Sequence, residues 1–300
     1  MTGIHPTSTI CIYHANCADG FGAAWVVRKA LGGHIEFHAA KHGDPAPNVA
    51  GKEVIIVDFS YSLDTLLEMA DVAASILVLD HHKTAQAALE VVPEASHCRA
   101  CHCHSVPEGG LYALFDMQRS GAGITWDYFF PNYQRPALIN HIEDRDLWRF
   151  KLDGTREIMA SLFSYPFEFE VWDGLFAADP AALKAEGVAL ERKQQKDVAE
   201  LVTGSMRRMK IGGFNVPVSN LPPTLASDAG NLMCADEPFA ATYWDTSDGR
   251  VFSLRSTDEG MDVSAIAKQY GGGGHRNASG FKIGFDHALA SPQLNPGEAS

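Results

Sequence analysis

Two stretches constrain this chain more than any others, EVIIVDFS at 53–60 and SILVLDHH at 75–82. Each is a short continuous run of β-branched and aliphatic residues, which marks a strand buried on both faces. Each then runs without a break into carboxylates or imidazoles. Strands covered on both faces belong to parallel sheets wrapped by helices. The flanking sequence agrees. TICIYH (9–14) and HIEFHAA (34–40) read as further strands, and FGAAWVVRKALG reads as a helix ended by Gly32 and Gly33. SLDTLLEMADVAA reads as a helix opened by Ser62, LYALFDM (111–117) as another strand, and Ser120 to about Phe130 as a helix capped by Ser120.

Helical patterns follow in PALINHIEDRDLW and TREIMASLF, and a long charged helix spans Pro180 to Met209, read as a connector or a packing helix. IGGFNVPVSNL, FAATYWD, RVFSLRS and GFKIGF then read as strands, with DVSAIAKQY as a helix. The expectation is α/β throughout: a parallel-sheet domain at 1–180, a helical connector at 181–209, a smaller α/β domain at 210–286 and a tail at 287–300.

In a parallel α/β sheet, ligands gather at the carboxyl ends of the strands. His14 closes the first strand, Asp58 the third, and Asp80, His81 and His82 the fourth; Asp19 opens the first helix, and Asp144 and Asp146 follow an apolar helix. Singly, an Asp at a strand end is a turn former or cap, and a lone His is a packed or solvated side chain. Caps do not explain why two buried strands deliver such groups to one sheet edge. Mixed carboxylate and imidazole donors suit Mn²⁺ or Mg²⁺, with Zn²⁺ or Fe²⁺ admitted where imidazole predominates. Two such ions can activate water for attack on a phosphoester.

The stretches HANCADGFGAA, VDFS, LDHHK and IEDRD, in this order, resemble the four motifs of the DHH phosphoesterase family. SLRS (253–256), DVSAIA (262–267) and GGGGHRNASGF (271–281) resemble the associated C-terminal domain of its nano-RNase and oligonucleotide phosphoesterase branch. This resemblance spans residues 14–281. It implies a DHH domain and a smaller domain with the active site in the cleft between them. It implies that Asp58 bridges two metals, that His14 holds the first ion, and that Asp19, His81 and Asp144 complete the second, with Asp146 as the alternative to Asp144. Asp80 would support the site and His82 would face the scissile phosphate.

The first motif departs from the family pattern, in which aspartates follow the His at four and six residues. Here Cys17 and Asp19 follow His14 at three and five. Cys17 binding as thiolate, substitution by Asn16 or water, a single bound ion, and Cys17 as a small turn residue all fit this spacing.

In the second domain a glycine run lets backbone N–H groups approach an anion, and Arg offers a planar fork for phosphate. The resemblance assigns Arg255, His275 and the cradle of Gly272, Gly273 and Gly274 to substrate binding; Arg276 reads as an exposed neighbour.

SHCRACHCHS places His97, Cys98, Cys101, His102, Cys103 and His104 together. A zinc site there would need one loop to supply every ligand, and an insertion loop is the simpler reading. The aromatics Trp126, Tyr128, Phe129 and Phe130 read as core.

With 24 basic against 37 acidic residues, the net charge of −13 disfavours long duplex DNA as a partner but admits a short anion in a local pocket. The six cysteines form no spaced disulfide framework, no apolar run reaches membrane-spanning length, and the start lacks a secretory pattern, so a reduced, cytoplasmic protein is expected, compatible with a homodimer. The expected function is hydrolysis of short oligonucleotides or small nucleotide phosphates by a metal-activated hydroxide, with Mn²⁺ as the leading cofactor. The rivals are a cyclic-dinucleotide or 3′-phosphoadenosine 5′-phosphate phosphohydrolase and a non-catalytic nucleotide-binding protein.

Overall fold

The computed structural model describes residues 8–95 and 109–290; the Cys/His stretch at 97–104 lies outside them. The chain divides into two compact units, 1–191 and 192–300, with the division inside one long helix.

The first unit runs β1 (Thr9–His14), α1 (Ala18–Leu31), β2 (Glu36–Ala40), β3 (Glu53–Val57), α2 (Leu63–Ala70), β4 (Ser75–Asp80), α3 (Lys83–Ala88), β5 (Leu111–Phe115), α4 (Gly121–Phe129), α5 (Ala137–Asp146), α6 (Thr155–Phe163), α7 (Phe169–Ala177) and the start of α8 (Pro180–Ser205). The five strands among its described residues are all parallel, in the order β2-β1-β3-β4-β5. Alternate residues feed two separate cores, as the two-residue period of a strand requires. Cys11, Ile55, Val57, Leu77 and Leu79 pack on one face with α1 and the α4–α7 helices. Ile10, Ile12, Val54, Ile56, Ile76 and Val78 pack on the other with Leu66 and Met69 of α2. The strand order reverses between β1 and β3, so the loops leaving these two strands part to opposite sides and leave a crevice at their carboxyl ends.

The second unit contains the end of α8, then β6 (Arg207–Ile211), β7 (Phe214–Asn220), α9 (Ala226–Met233), β8 (Ala240–Thr246), β9 (Gly249–Arg255), α10 (Val263–Lys268), β10 (Gly273–Gly274) and β11 (Ala278–Ile283). Its sheet order is β10-β11-β9-β8-β7-β6, antiparallel except for the β7–β8 pair. The long helix stops at Ser205, short of the expected Met209, because Met209 and Ile211 turn inward with a two-residue period and pair with β7. Gly212 and Gly213, with φ of 55° and 91°, make the two-residue hairpin turn between these strands. No helix of the described residues is long and apolar enough to cross a membrane.

The first half of α8 is a packing element and not a bare connector. A Cβ on Gly187 would fall 1.7 Å from the carbonyl oxygen of Glu157, so the two backbones touch, and Glu186 accepts hydrogen bonds from Ser161 at 2.5 Å and Tyr165 at 2.8 Å. Gly174 in α7 has open space at the same position. Gly187→Ala should therefore lower the unfolding free energy by about 2 kcal/mol or more through overpacking, while Gly174→Ala should raise it by up to about 1 kcal/mol through helix propensity, both read from denaturant midpoints.

Candidate metal centre

The crevice between β1 and β3 collects the polar strand ends. His14 is the last residue of β1 and Asp58 the first beyond β3. The tight turns leaving both strands carry a cost in backbone conformation: Asn16 and Asp58 hold φ of 57° and 52°, a region where non-glycine residues are uncommon. Two glycines let α1 and α4 come close. A Cβ on Gly20 would lie 2.3 Å from the carbonyl oxygen of His14, and one on Gly121 2.5 Å from Cβ of Asp58.

At the centre, Nε2 of His81 stands 3.0 Å from Oδ1 of Asp58 and 3.6 Å from Oδ2 of both Asp19 and Asp146. Among the described residues of the first unit, donor atoms lie within 4.8 Å of one another in three overlapping sets: His14, Cys17 and Asp58; Asp19, His81 and Asp146; and Asp58, Asp80, His81 and His82. Asp58 and His81 each belong to two of them. Asp80 Oδ1 accepts hydrogen bonds from the His81 amide and from Nδ1 of His82, both at 2.7 Å, and so orients the pair that follows it. Asp19 accepts from the amides of Gly121 at 2.5 Å and Ala122 at 2.9 Å, where the first peptide dipoles of α4 favour a negative charge.

Asp144 and Asp146 divide differently from the first expectation. Two positions apart on α5 they point some 200° apart, so only one can face His81, and it is Asp146. Asp144 accepts instead from the amides of Lys151 at 2.8 Å and Leu152 at 3.0 Å and from Thr155 Oγ1 at 2.6 Å, holding the loop after α5. Although burial pushes its pKa up, these bonds hold it below the usual carboxylate range.

Three carboxylates around one buried imidazole set up a strong field. Burial, then the charges of Asp58 and Asp146, push Asp19 well above its ordinary pKa; burial and Asp58 raise Asp146 as well. Asp58 goes the other way, since the neighbouring imidazoles of His14 and His81 outweigh its burial. Burial lowers the His81 pKa, but Asp58, Asp146 and Asp19 together drive it well above normal. The thiol of Cys17 is raised by burial and then by Asp58, Asp146 and Asp19, so its proton stays unless a cation displaces it. A divalent cation fits this donor set. It would neutralise the carboxylates that repel one another, and Asp58 Oδ2, buried without a hydrogen-bond partner among the described residues, lies 3.5 Å from Nδ1 of His14.

His42, beyond β2, was not singled out from sequence. Its ring centroid lies 5.7 Å from that of His14, 6.0 Å from His82 and 5.0 Å from Phe59. Loss of water, then the charges of His82 and His14, push its pKa down to about 4. The available signal was its place at a strand end, in AAKHGD.

In the second unit, Arg255 ends β9 and donates to Ser253 Oγ at 2.9 Å, the Leu254 carbonyl at 2.8 Å and Ser227 Oγ of α9 at 2.8 Å. Gly273 and Gly274 pair with Gly280 and Ser279, and a Cβ on Gly272 would fall 2.1 Å from the carbonyl oxygen of Gly280. Close packing on β11 therefore already requires glycine there. His275 donates its amide to Ala278 at 2.8 Å, and the exposed Arg276 bonds to Asn277 and the Gly260 carbonyl.

No protein-family model matches the chain. An uncharacterized protein, R106, of Acanthamoeba polyphaga mimivirus is 32% identical over 296 residues, covering 90% of this chain and 66% of its own length, so the chain spans a little under two thirds of that relative. Among solved structures, the DHH domain of a member of a ribosomal-protein family aligns over 92% of this chain and 82% of its own, with a TM-score of 0.55 and 14% identity. A pGpG-specific phosphodiesterase, PggH, from Vibrio cholerae aligns over 92% and 94% with a TM-score of 0.48 and 14% identity. The likeness to the DHH domain is one of fold: two α/β units, the first built on a parallel sheet.

The two α5 carboxylates should separate cleanly on mutation. Asp144→Asn should lower stability by roughly 2 kcal/mol, because buried amides lose a charged acceptor, yet leave Mn²⁺ affinity within about threefold of the parent. Asp146→Asn should weaken Mn²⁺ binding at least about tenfold while stabilising the metal-depleted protein near pH 7. Because the folded-state pKa of Asp146 is raised, its charge costs stability above that pKa. The gain from Asn should shrink as pH falls through the raised value and vanish below the ordinary carboxylate range. Thermal melts with and without metal read both effects.

Proposed function

We infer that this chain is a divalent-metal-dependent phosphoesterase acting on short oligonucleotides or small nucleotide phosphates, with Mn²⁺ as the preferred ion and two ions at full occupancy. The observation that carries this reading is the convergence of Asp58 with His14, Cys17, Asp19, His81 and Asp146 at the β1/β3 crevice. The carboxylates of this set suit Mn²⁺ or Mg²⁺, and the imidazoles admit Zn²⁺ or Fe²⁺. A DHH-like fold beneath such a cluster supports phosphoester hydrolysis over other metal chemistry.

In this reading His14, Asp58 and either Cys17 or a water would hold one ion, and Asp58, Asp19, His81 and Asp146 would hold the other. Divalent ions there would polarise phosphoryl oxygens and lower the pKa of a bound water. The protein's own groups do the rest. Asp80 holds the His82 ring by its Nδ1 at 2.7 Å, which would let that imidazole face the scissile phosphate and give a hydrogen bond or proton to the departing ester oxygen. The α4 N-terminus keeps Asp19 in place through two amides. From the 210–286 domain, Arg255, His275 and the Gly272–Gly274 backbone are assigned a second phosphate of the substrate, which suits a ligand of one to a few nucleotides.

With Mn²⁺, the purified protein should release mononucleotides from substrates of two to five nucleotides. Asp58→Ala and His81→Ala should each abolish turnover, by about a thousandfold or more, with the circular dichroism of the folded chain retained; undiminished turnover in either would remove this reading. Gly121→Ala should do the same by pushing α4 off Asp58.

A further inference from the structure

The loop leaving α5 carries a feature that the metal chemistry does not use. Trp148 and Phe150 both have left-handed backbones, with φ of 54° and 47°, a strained state for bulky side chains. A single residue imposes it. The carbonyl of Asp144 accepts from the amides of Arg149 at 2.8 Å and Phe150 at 3.2 Å, and its carboxylate accepts from Lys151 and Leu152. The result is a half-buried ladder of alternating rings and guanidinium groups. Arg145 lies over Phe163 at 5.5 Å and Trp148 at 4.9 Å; Arg156 lies over Trp148 at 5.8 Å and Phe150 at 3.7 Å.

Arg145 stands out by its charge. Arg28, Arg119, Arg135, Arg149 and Arg156 each have a carboxylate within 4.0 Å, whereas among the described residues of the first unit Arg145 has none. In a chain of net charge −13, a guanidinium with no carboxylate within 4.0 Å, although its charge is felt at Asp146, is a place for an anion. Trp148 is two residues from Asp146, so its Cα lies within about 7 Å of that ligand's. Rings and guanidinium planes both take a nucleobase on their faces.

We propose that this ladder seats a nucleobase of the substrate, with Trp148 as the stacking surface and Arg145 meeting the adjoining phosphate. The proposal rests on the phosphoesterase reading and narrows it: the substrate is a nucleotide, selected by its base, and not an inorganic polyphosphate or a sugar phosphate. Asp144 holds the loop that carries the two half-buried rings, whose centroids lie 4.9 Å apart, just after Asp146 in the chain. Trp148 and Arg145 act in binding and selection.

The test is equilibrium binding to the full-length protein in Ca²⁺, by calorimetry, of 5′-phosphorylated diadenylate and of its analogue lacking both bases. The parent should bind the diadenylate roughly ten- to a hundredfold tighter. Trp148→Ala should bring that ratio close to one, and Trp148→Phe should restore most of it, which a merely structural role for the ring would not do. Arg145→Gln removes no ion pair from the fold. It should weaken both ligands by about tenfold and flatten the salt dependence of binding by about one unit of slope. Equal affinity of the parent for the two ligands, no measurable binding of diadenylate, or an unchanged ratio in folded Trp148→Ala would each overturn the proposal, and so would unchanged binding in Arg145→Gln should Trp148→Ala not fold. Base-dependent binding without hydrolysis in Mn²⁺ would remove the phosphoesterase reading and leave the seat standing; hydrolysis without base dependence would do the reverse.

Discussion

The first unit is organised around a repulsion. Asp19, Asp58 and Asp146 crowd one imidazole, with Asp19 and Asp58 each 1% exposed and His81 2%. Burying a carboxylate without compensation is among the larger penalties a fold can carry. Here the compensation is partial: His81 answers Asp58, the α4 amides answer Asp19, and Asp19 and Asp146 are still pushed toward protonation. A site balanced in this way gains most from a compact double charge, which accounts for oxygen, imidazole and thiol donors meeting within one crevice.

The scaffold serves that crowding. Both cores hold the sheet from opposite faces, so the strands that lead to His14, Asp58 and Asp80 are packed on both sides. Gly20 and Gly121 let two helices approach β1 and β3 more closely than any Cβ would allow. The left-handed Asn16 and Asp58 are the strain that accompanies this approach, while Asp80, at the edge of the cluster, orients His82, and Asp144, outside it, holds the 149–152 loop.

Much of this was legible before any coordinates. The apolar runs before Asp58 and Asp80 read as buried parallel strands, and a parallel sheet fixes which edge carries their ends. What escaped notice had no apolar period to betray it. Ala226, Ala229, Gly230 and Met233 of α9 face inward at helical spacing, but three of the four are too small to mark an apolar stripe in a short stretch after two prolines, and β6 follows a charged helix and offers only two inward residues in RRMKI. The choice between Asp144 and Asp146 needed the rotation of α5 about its axis, which spacing does not supply. His42 depends on β2 lying beside β1, a fact of strand order that no local pattern contains.

The most direct measurement is anomalous diffraction from crystals grown with Mn²⁺, collected on both sides of the manganese absorption edge. The account predicts manganese in contact with the Asp58 carboxylate, sharing ligands with His81 and with Asp19 or Asp146, and no ion on Asp144. Manganese bound elsewhere on the chain with the Asp58 carboxylate untouched, at concentrations that saturate the protein in solution, would contradict it.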